Sequence, residues 1–159
     1  MFKNLFKPKA ADFIAPMNGR MLKLEEVPDP VFSSKTIGDG FAIELADGRV
    51  CSPVNGEVVA LFPTLHAIGI KSDDRNEYLI HVGLDTVKYG GEGFQCFVEM
   101  GTKVKANEPL IQVDMELYKE REVSFISPVI VTNLNGRKVR LLKEGNVTQG
   151  EKDILAIVV

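Results

Sequence analysis

The chain has 159 residues, of which 45% are hydrophobic and 26% charged, and its formal net charge at pH 7 is −3. This composition is typical of a single globular domain, and the mild negative charge without a dense Lys/Arg cluster argues against a nucleic-acid-binding protein. The two cysteines, Cys51 and Cys96, form no CxxC pair and do not indicate a disulfide-stabilised scaffold.

The N-terminal stretch MFKNLFKPKAADF has neither the apolar core nor the cleavage pattern of a signal peptide. We expect residues 1–13 to be a flexible tail, because Pro8 interrupts the only segment that could form a basic amphipathic helix on a membrane surface. The apolar run ILAIVV near the other end is too short to span a bilayer. The sequence therefore predicts a cytoplasmic protein whose contact with a membrane is only indirect.

Alternating apolar and polar residues dominate the following segments, which are GFAIELADG, GEVVALF, EPLIQVD, SPVIVTNLNGRKVRLL and DILAIVV. In the first segment, Phe41, Ile43 and Leu45 fall on one face before an Asp-Gly turn. Such alternation, interrupted by glycine and proline, is typical of short β-strands. The sequence predicts an all-β protein, with a compact antiparallel β-sandwich or barrel over residues 14–159 as a single domain. At most short helices are expected, such as one around Glu116–Arg121.

Two pairs of segments resemble each other within the chain. APMNGRMLKLEEV (residues 15–27) resembles SPVNGEVVALFPT (residues 52–64), and GTKVKANEPLIQV (residues 101–113) resembles GNVTQGEKDILAIV (residues 145–158). A proline followed three residues later by a glycine marks a turn that opens onto a strand. Two half-units closed on each other would give a sandwich with approximate internal two-fold symmetry, although turn chemistry alone can also produce such echoes.

The only two histidines, His66 and His81, lie in the segment TLHAIGIKSDDRNEYLIHVGLD, each within a short apolar run. The polar stretch KSDDRN between these runs predicts a hairpin. Facing residues of an antiparallel pair have a constant index sum, and a turn centred between Asp73 and Asp74 gives the sum 147. This register would place the two imidazoles directly opposite each other, whereas a shift of one residue would put one histidine on the other face.

Two facing imidazoles can bind a metal, share a proton or handle a phosphoryl group. For phosphoryl transfer, a neutral ring nitrogen is a good nucleophile near physiological pH, because imidazole titrates near pH ~6.5. The second ring can donate a hydrogen bond to the phosphoryl oxygens when a partner at its other nitrogen sets its tautomer. Thr64, two residues before His66, is either that partner or an ordinary threonine at the start of a strand.

The motifs HAIGI, EYLIHVGLDTV and GEGF resemble the glucose-type enzyme IIA of the bacterial phosphoenolpyruvate-dependent sugar phosphotransferase system. The resemblance extends upstream to APMNGRMLKLEEVPDPVFSSKTIGDGFAI and downstream to GTKVKANEPLIQVD and GNVTQGEKDIL, so it covers the chain from about Ile14. It implies an antiparallel β-sandwich and a phosphotransferase that accepts a phosphoryl group on a histidine and passes it on, with no cofactor required.

The resemblance also implies roles for individual residues. The histidine of IHVGLD matches the phosphorylated residue, so His81 would be the phosphoryl acceptor, and the histidine of TLHAIGI matches the auxiliary ring, so His66 would assist transfer. Thr64 matches the threonine that orients the auxiliary histidine. Thr36 and Lys88 depart from the family pattern, which has an apolar and an acidic residue there. The positions that match the partner-docking surface are Phe32, Thr36, Ile37, Asp85 and Val87.

The partners implied by the resemblance are the phosphocarrier protein HPr as donor and the IIB domain of a sugar permease, of glucose type, as acceptor. Regulated enzymes or transporters would be further partners. An apolar docking surface around a charged centre suits this role, because it excludes water from a hydrolysable P–N bond and lets weakly bound partners leave quickly. Zinc bound by His66, His81 and a partner's carboxylate is a further hypothesis, because neutral imidazoles favour zinc.

Three alternatives stand beside this hypothesis. His81 and Asp85 have the HxxxD spacing of some zinc peptidases with a related β fold, and His66 could complete three zinc ligands, although the HxH pair of those enzymes is missing. GTKVKANEPLIQVD resembles part of a biotinyl or lipoyl carrier domain, although DMEL offers no lysine for modification. The third alternative is a structural or regulatory binding module in which each histidine is a separately satisfied core residue.

Overall fold

The computed structural model describes residues 12–159, so residues 1–11 of the expected tail lie outside the described residues. Two α-helices of four residues each are present, α1 at Pro30–Ser33 and α2 at Met115–Tyr118, and 3₁₀ turns span Leu24–Glu26 and Thr86–Tyr89. The strands are β1 Gly19–Lys23, β2 Asp39–Leu45, β3 Arg49–Cys51, β4 Gly56–Leu61, β5 Ala67–Ser72, β6 Glu77–His81, β7 Phe94–Cys96, β8 Lys103–Val104, β9 Pro109–Val113, β10 Ile126–Val131, β11 Lys138–Leu141, β12 Gly145–Val147 and β13 Leu155–Val158.

The strands form a sandwich in which every pairing between the strands named above is antiparallel. Eight strands make one sheet in the order β12-β1-β2-β10-β6-β5-β4-β8, while β3-β9-β7 and β11-β13 make two smaller ones. The main core takes buried side chains from the large sheet and from the smaller ones, including Phe41, Ile43, Ile68, Val50, Ile111 and Leu155. The predicted antiparallel β-sandwich is therefore confirmed.

The helices are as short as the sequence predicts. The helix expected around Glu116–Arg121 begins one residue earlier, at Met115, and ends at Tyr118. Asp114 caps it, because its carboxylate accepts a hydrogen bond from the N–H of Leu117 at 3.3 Å. Within residues 12–159, no helix is long and apolar enough to cross a membrane.

Phe13 lies in the core, although the sequence places it at the end of the tail. Its side chain is 2% exposed, and its ring centroid lies 5.9 Å from that of Phe41 and 5.2 Å from that of Tyr78. Burial of an aromatic side chain contributes strongly to a small core. The packed part of the chain therefore includes Phe13, and the rest of the division into tail and domain stays a prediction.

The large sheet consists of two matching halves. Its order reads the same from both ends when β12 is matched with β8, β1 with β4, β2 with β5 and β10 with β6. The registers match as well, because Gly19 faces Val147 across β1 and β12, while Gly56 faces Val104 across β4 and β8. The sequence echoes therefore correspond to an approximate two-fold axis between β6 and β10.

Backbone hydrogen bonds between the two half-units are also reciprocal. The N–H of Ile14 donates to the carbonyl of Pro53 at 2.9 Å, and the N–H of Cys51 donates to the carbonyl of Pro16 at 2.8 Å. Pro16 and Pro53 occupy the same place in the two similar segments. The two turns thus hold each other at the symmetry axis.

One connection breaks the two-fold symmetry and shapes the site described below. β4 and β5 are joined by residues 62–66, whereas β1 and β2 are joined by residues 24–38, which include α1. The longer connection covers the face of the large sheet that is turned away from the main core. It contributes to a second cluster of buried residues, which are Leu22, Leu24, Val27, Phe32, Ala42, Leu84 and Ile130. This packing brings the ring of Phe32 to the end of β6.

The β5–β6 hairpin has a register one residue away from the predicted one. Ala67, not His66, faces His81, so the index sum is 148. The additional residue lies in the turn, where residues 73–75 form a loop closed by the hydrogen bond from the N–H of Ser72 to the carbonyl of Asn76 at 2.8 Å, and the last loop residue, Arg75, has a φ of 70°. A residue in the left-handed region is common at the end of three-residue hairpin loops. The prediction that the two histidines face each other directly across the hairpin is therefore wrong.

Candidate functional site

The ends of β5 and β6 nevertheless bring the two histidines together. His81 is the last residue of β6, and His66 directly precedes β5. Leu65 has a φ of 59°, so the chain does not continue the alternation of the strand at this point. The imidazole rings of His66 and His81 lie 5.0 Å apart between centroids, with an angle of 68° between their planes. The two rings are adjacent, as a shared chemical role requires.

His81 has a backbone carbonyl as the partner of its Nδ1. The distance between His81 Nδ1 and the Gly83 oxygen is 2.7 Å. A carbonyl only accepts, so the neutral ring carries its hydrogen on Nδ1 and a lone pair on Nε2. Burial lowers the pKa of His81 below its ordinary value, against the opposing effects of the Gly83 carbonyl, Asp29 and Asp85. The ring is therefore neutral at pH 7, and its Nε2 can act as a nucleophile.

Gly83 is the residue that this turn requires. Its φ is 77°, and a Cβ at this position would lie 2.6 Å from Thr86 Cγ2 and 2.9 Å from the Ser124 oxygen. The N–H of Leu84 donates to the Ser124 carbonyl at 2.9 Å and so orients the peptide group that carries the Gly83 oxygen. The sequence HVGLDT thus forms a tight turn that aims a carbonyl back at the preceding histidine.

His66 has a hydroxyl as the partner of its Nδ1, because Thr64 Oγ1 is hydrogen-bonded to that nitrogen. When the hydroxyl donates, the neutral ring carries its hydrogen on Nε2. Burial, and then the neighbouring His81, lower the pKa of His66 below its ordinary value. His66 can therefore offer an Nε2–H donor to an anion beside His81 while it remains neutral.

Two phenylalanine rings extend the histidine pair into a row of four. Phe32 lies 5.1 Å from His81 and Phe62 lies 5.2 Å from His66, both measured between ring centroids in edge-to-face geometry. Phe32 is 4% exposed, whereas Phe62 is 42% exposed. Phe62 is not among the residues expected from the sequence, although its place two residues before Thr64 is a signal that could have identified it.

Two carboxylates act on the pKa of His81. Asp29 and Asp85 both favour the charged form of His81 and so oppose the fall of its pKa. Asp85 is exposed and has a φ of 58° at the start of a 3₁₀ turn, and Asp29 caps α1 by accepting a hydrogen bond from the N–H of Val31 at 3.0 Å. Asp85 is among the residues expected from the sequence, whereas Asp29 is not, although an aspartate directly before a proline is a recognisable helix cap.

The residues expected at the docking surface have different environments. Phe32 is buried rather than exposed, because the β1–β2 connection places its ring against His81. Ile37 is half-buried against the second cluster, and Thr36 is exposed. Val87 is 48% exposed, as is suitable for docking, and Val31, which sequence analysis does not identify, is 53% exposed. Exposed apolar surface is thus provided by Val31 and Val87, whereas Phe32 provides almost none.

A zinc-hydrolase site would need three protein ligands that converge. Within the part of the chain that the structure describes, no group of three or more His, Cys, Asp or Glu side chains is arranged to hold a metal ion. His66, His81 and Asp85 do not form such a group, so the zinc-hydrolase alternative is not supported. The two imidazoles supply only two of the donors that zinc prefers.

Comparison with known proteins gives one consistent result. Residues 11–136 match the family model described as phosphoenolpyruvate-dependent sugar phosphotransferase system, EIIA 1. A PTS system glucose-specific EIIA component of Oceanobacillus iheyensis is 45% identical over 164 residues, which cover 99% of this chain and 99% of that protein. A PTS system glucose-specific EIICBA component of Staphylococcus carnosus is 48% identical over 89% of this chain and 21% of its own length. The solved glucose permease IIA from Mycoplasma capricolum has a TM-score of 0.83 and 38% identity, with 95% of this chain and 97% of that chain covered.

Proposed function

The chain belongs to the EIIA 1 family of the phosphoenolpyruvate-dependent sugar phosphotransferase system and is a phosphoryl carrier of such a system, and we propose that Nε2 of His81 carries the phosphoryl group. The single observation that carries this proposal is the hydrogen bond from His81 Nδ1 to the Gly83 oxygen at 2.7 Å. It leaves Nε2 as the only ring nitrogen of His81 with a free lone pair. His66 has the opposite tautomer when the Thr64 hydroxyl donates to its Nδ1, because the hydrogen of the ring is then on Nε2.

In the accepting step, the lone pair of His81 Nε2 attacks the phosphorus of the donor. A new P–N bond forms at Nε2 while the bond from phosphorus to the donor breaks, and the donor keeps that electron pair. The attack makes the imidazole cationic, and the Gly83 carbonyl stabilises this form because it accepts from Nδ1–H. In the second step an acceptor protein attacks the same phosphorus, and His81 leaves as a neutral ring.

His66 assists both steps as a hydrogen-bond donor. Its ring lies next to that of His81, so an Nε2–H can reach an oxygen of the transferred group, whose charge is spread over three oxygens. The hydroxyl of Thr64 holds this tautomer, and the low pKa of His66 keeps it neutral before the anion arrives. Thr64 thus orients His66, and His66 stabilises the phosphoryl group.

The charges around His81 favour a basic partner. A phosphoryl group brings a charge of roughly −1.5 to −2 next to Asp29 and Asp85. Docked cations from the partner would offset this repulsion, whereas the exposed Val87 would exclude water. The donor in this proposal is the phosphocarrier protein HPr, and the acceptor is a IIB domain, in accord with the Staphylococcus carnosus relative, which is named as an EIICBA component.

The sugar in this proposal is glucose, because the similar proteins of Oceanobacillus iheyensis and Mycoplasma capricolum carry glucose in their names. Docking of regulated enzymes or transporters stays a prediction, as does zinc held by His66, His81 and a carboxylate of a partner. In that zinc site the chain would supply the two imidazoles only, and the partner would complete the ligand set.

The proposal is tested by ³²P labelling from phosphoenolpyruvate through enzyme I and HPr. The parent protein should acquire an acid-labile label, and His81→Ala should acquire none. His66→Gln is the matched control, because it removes the other imidazole and keeps a side-chain amide; it should become labelled but pass the label to a IIB domain at least about tenfold more slowly. A His81→Ala protein that labels like the parent would show that another residue is the carrier.

A further inference from the structure

We propose that Ser127 is a positioning residue for phosphoryl transfer, because it holds the turn whose carbonyl selects the reactive tautomer of His81. Ser127 lies on β10, a strand that contributes no residue to the site described above. The inference deepens the proposed role of His81 and rests on it. The hydrogen bonds of Ser127 reach the backbone of Gly83 and Phe125 and neither imidazole.

The contacts of Ser127 form a short relay to the acceptor ring. Its side chain is fully buried, with 0% exposure. Ser127 Oγ accepts a hydrogen bond from the N–H of Gly83 at 3.0 Å and donates one to the carbonyl of Phe125 at 2.9 Å. The carbonyl of Gly83 in turn accepts from His81 Nδ1 at 2.7 Å. The N–H of Gly83 is thus bonded to Ser127 on β10, and the carbonyl of Gly83 is bonded to His81.

Gly83 needs such anchors because a glycine at φ 77° has no side chain to restrict it. The peptide group after Gly83 is oriented by the bond from the N–H of Leu84 to the Ser124 carbonyl. The peptide group before Gly83 has two partners, because its N–H donates to Ser127 Oγ at 3.0 Å and its carbonyl, that of Val82, accepts from Thr86 Oγ1 at 2.6 Å. Without the Ser127 hydroxyl, the buried N–H of Gly83 would lose its partner, and the turn would lower its free energy by rotating until this N–H finds another acceptor. Such a rotation would draw the Gly83 carbonyl away from His81.

The chemical consequence follows from the two tautomers of a neutral imidazole. With the Gly83 carbonyl in place, the hydrogen stays on Nδ1 and Nε2 is free to attack phosphorus. When this bond weakens, part of the population carries its hydrogen on Nε2 and cannot attack. We expect Ser127→Ala to slow acceptance of the phosphoryl group about three- to tenfold. A ratio of this size between the parent and variant rates corresponds to the loss of one hydrogen bond of ordinary strength.

The test is a ¹⁵N NMR measurement on unphosphorylated protein with labelled histidine, at a pH where both rings are neutral. The parent should show a protonated Nδ1 and a bare Nε2 at His81, and Ser127→Ala should show these two shifts moving towards each other. Ser127→Thr keeps the hydroxyl and should retain the parent pattern. Val129→Ala is the matched control, because Val129 lies two residues along β10, is buried and pairs with Ile80 rather than with the turn.

Unchanged His81 shifts in Ser127→Ala, an equal change in Val129→Ala, or a Ser127→Thr protein that behaves like the alanine variant would each overturn the inference. If Ser127→Ala does not fold, Ser127→Cys replaces it, because a thiol is a weaker acceptor of similar size. Since the ¹⁵N shifts are measured without any phosphoryl transfer, this test can fail while His81 is still the carrier. The labelling of His81→Ala, in contrast, reports on the carrier alone.

Discussion

At the residue scale, the partner of Nδ1 decides what each histidine can do. His81 Nδ1 faces a carbonyl, which only accepts, whereas His66 Nδ1 faces the hydroxyl of Thr64, which can donate. The same side chain therefore offers a lone pair at one Nε2 and an N–H at the other. A phosphoryl group between the rings would be covalently bound to His81 and hydrogen-bonded to His66.

The titration of the two imidazoles is a direct consequence of their burial. Because burial lowers the pKa of both His66 and His81, each should titrate below the ordinary value of about 6.5 in an NMR titration of its ring protons. Below that value the unfolded chain takes up protons that the folded chain does not. The free energy of unfolding should therefore fall as the pH falls through about 6.5 towards the lowered pKa values.

Urea unfolding at about pH 7.5 and about pH 5.5 measures this dependence. A variant with both His66→Gln and His81→Gln should lose most of the difference in unfolding free energy between these two pH values. Ring protons that titrate at or above the ordinary value, or a pH dependence that the double variant retains in full, would contradict the account.

Much of the pair's chemistry could be predicted from single residues. The spacing of the two histidines and the place of Thr64 two residues before His66 are visible in the sequence, and the structure brings the three side chains together. Asp29 and Phe62 could not be identified with the same ease. Asp29 reaches the site through a long connection, and the contact of Phe62 depends on how the chain turns at Leu65.

At the element scale, the connection between β1 and β2 gives the site one of its walls. This segment, residues 24–38, is longer than its counterpart at residues 62–66, and it places Phe32 against His81. Its helix α1 begins after a capping aspartate, Asp29, and the carboxylate that caps the helix also raises the pKa of His81. One side chain thus has a structural and an electrostatic effect.

These two effects of Asp29 can be separated by a pair of substitutions. Asp29→Asn keeps an oxygen acceptor for the N–H of Val31 and removes the charge, whereas Asp29→Ala removes both. Urea unfolding should show a loss of about 0.5–2 kcal/mol for the alanine variant and little change for the asparagine variant. Both variants should lower the pKa of His81 further, because Asp29 favours its charged form. Equal stability losses, or a His81 titration unchanged in both, would contradict this assignment.

The hairpin shows where sequence analysis of an element reaches its limit. Its two strands and their polar turn are plain from the alternation, but the register depends on whether the loop has two residues or three. The three-residue loop requires Arg75 to adopt a φ of 70°, which a non-glycine residue does not signal. The two imidazoles lie together despite the one-residue shift in register, because Leu65, directly before His66, also has a positive φ.

At the scale of the whole molecule, an approximate two-fold axis relates the two halves of the large sheet. The two Asn-Gly steps that open β1 and β4 make equivalent hydrogen bonds. Asn18 Oδ1 accepts from the N–H of Gln149 at 2.7 Å, and Asn55 Oδ1 accepts from the N–H of Ala106 at 2.8 Å. The histidine pair lies beside the unequal connection, which contributes Phe32 and Asp29 to the surroundings of His81.

This symmetry predicts that two substitutions at equivalent positions of the two halves lower the free energy of unfolding by similar amounts. Asn18→Ala and Asn55→Ala should each lower the free energy of unfolding by about 0.5–1.5 kcal/mol in urea, because each removes one acceptor for a backbone N–H. Asn18→Ala should cost more, since Asn18 Nδ2 also donates to Asp47 at 2.8 Å. Neither variant should alter phosphoryl acceptance by His81. A large loss for one asparagine and none for the other would contradict the proposed equivalence.

The position of the phosphorus atom is the most direct test of the central claim. Protein with ¹⁵N-labelled histidine would be phosphorylated through enzyme I and HPr, and the coupling between ³¹P and ¹⁵N would be recorded by NMR. The account predicts one P–N bond, at Nε2 of His81, with Nδ1 of the same ring still protonated towards Gly83. Phosphorus bound to Nδ1 of His81, or to either nitrogen of His66, would contradict it.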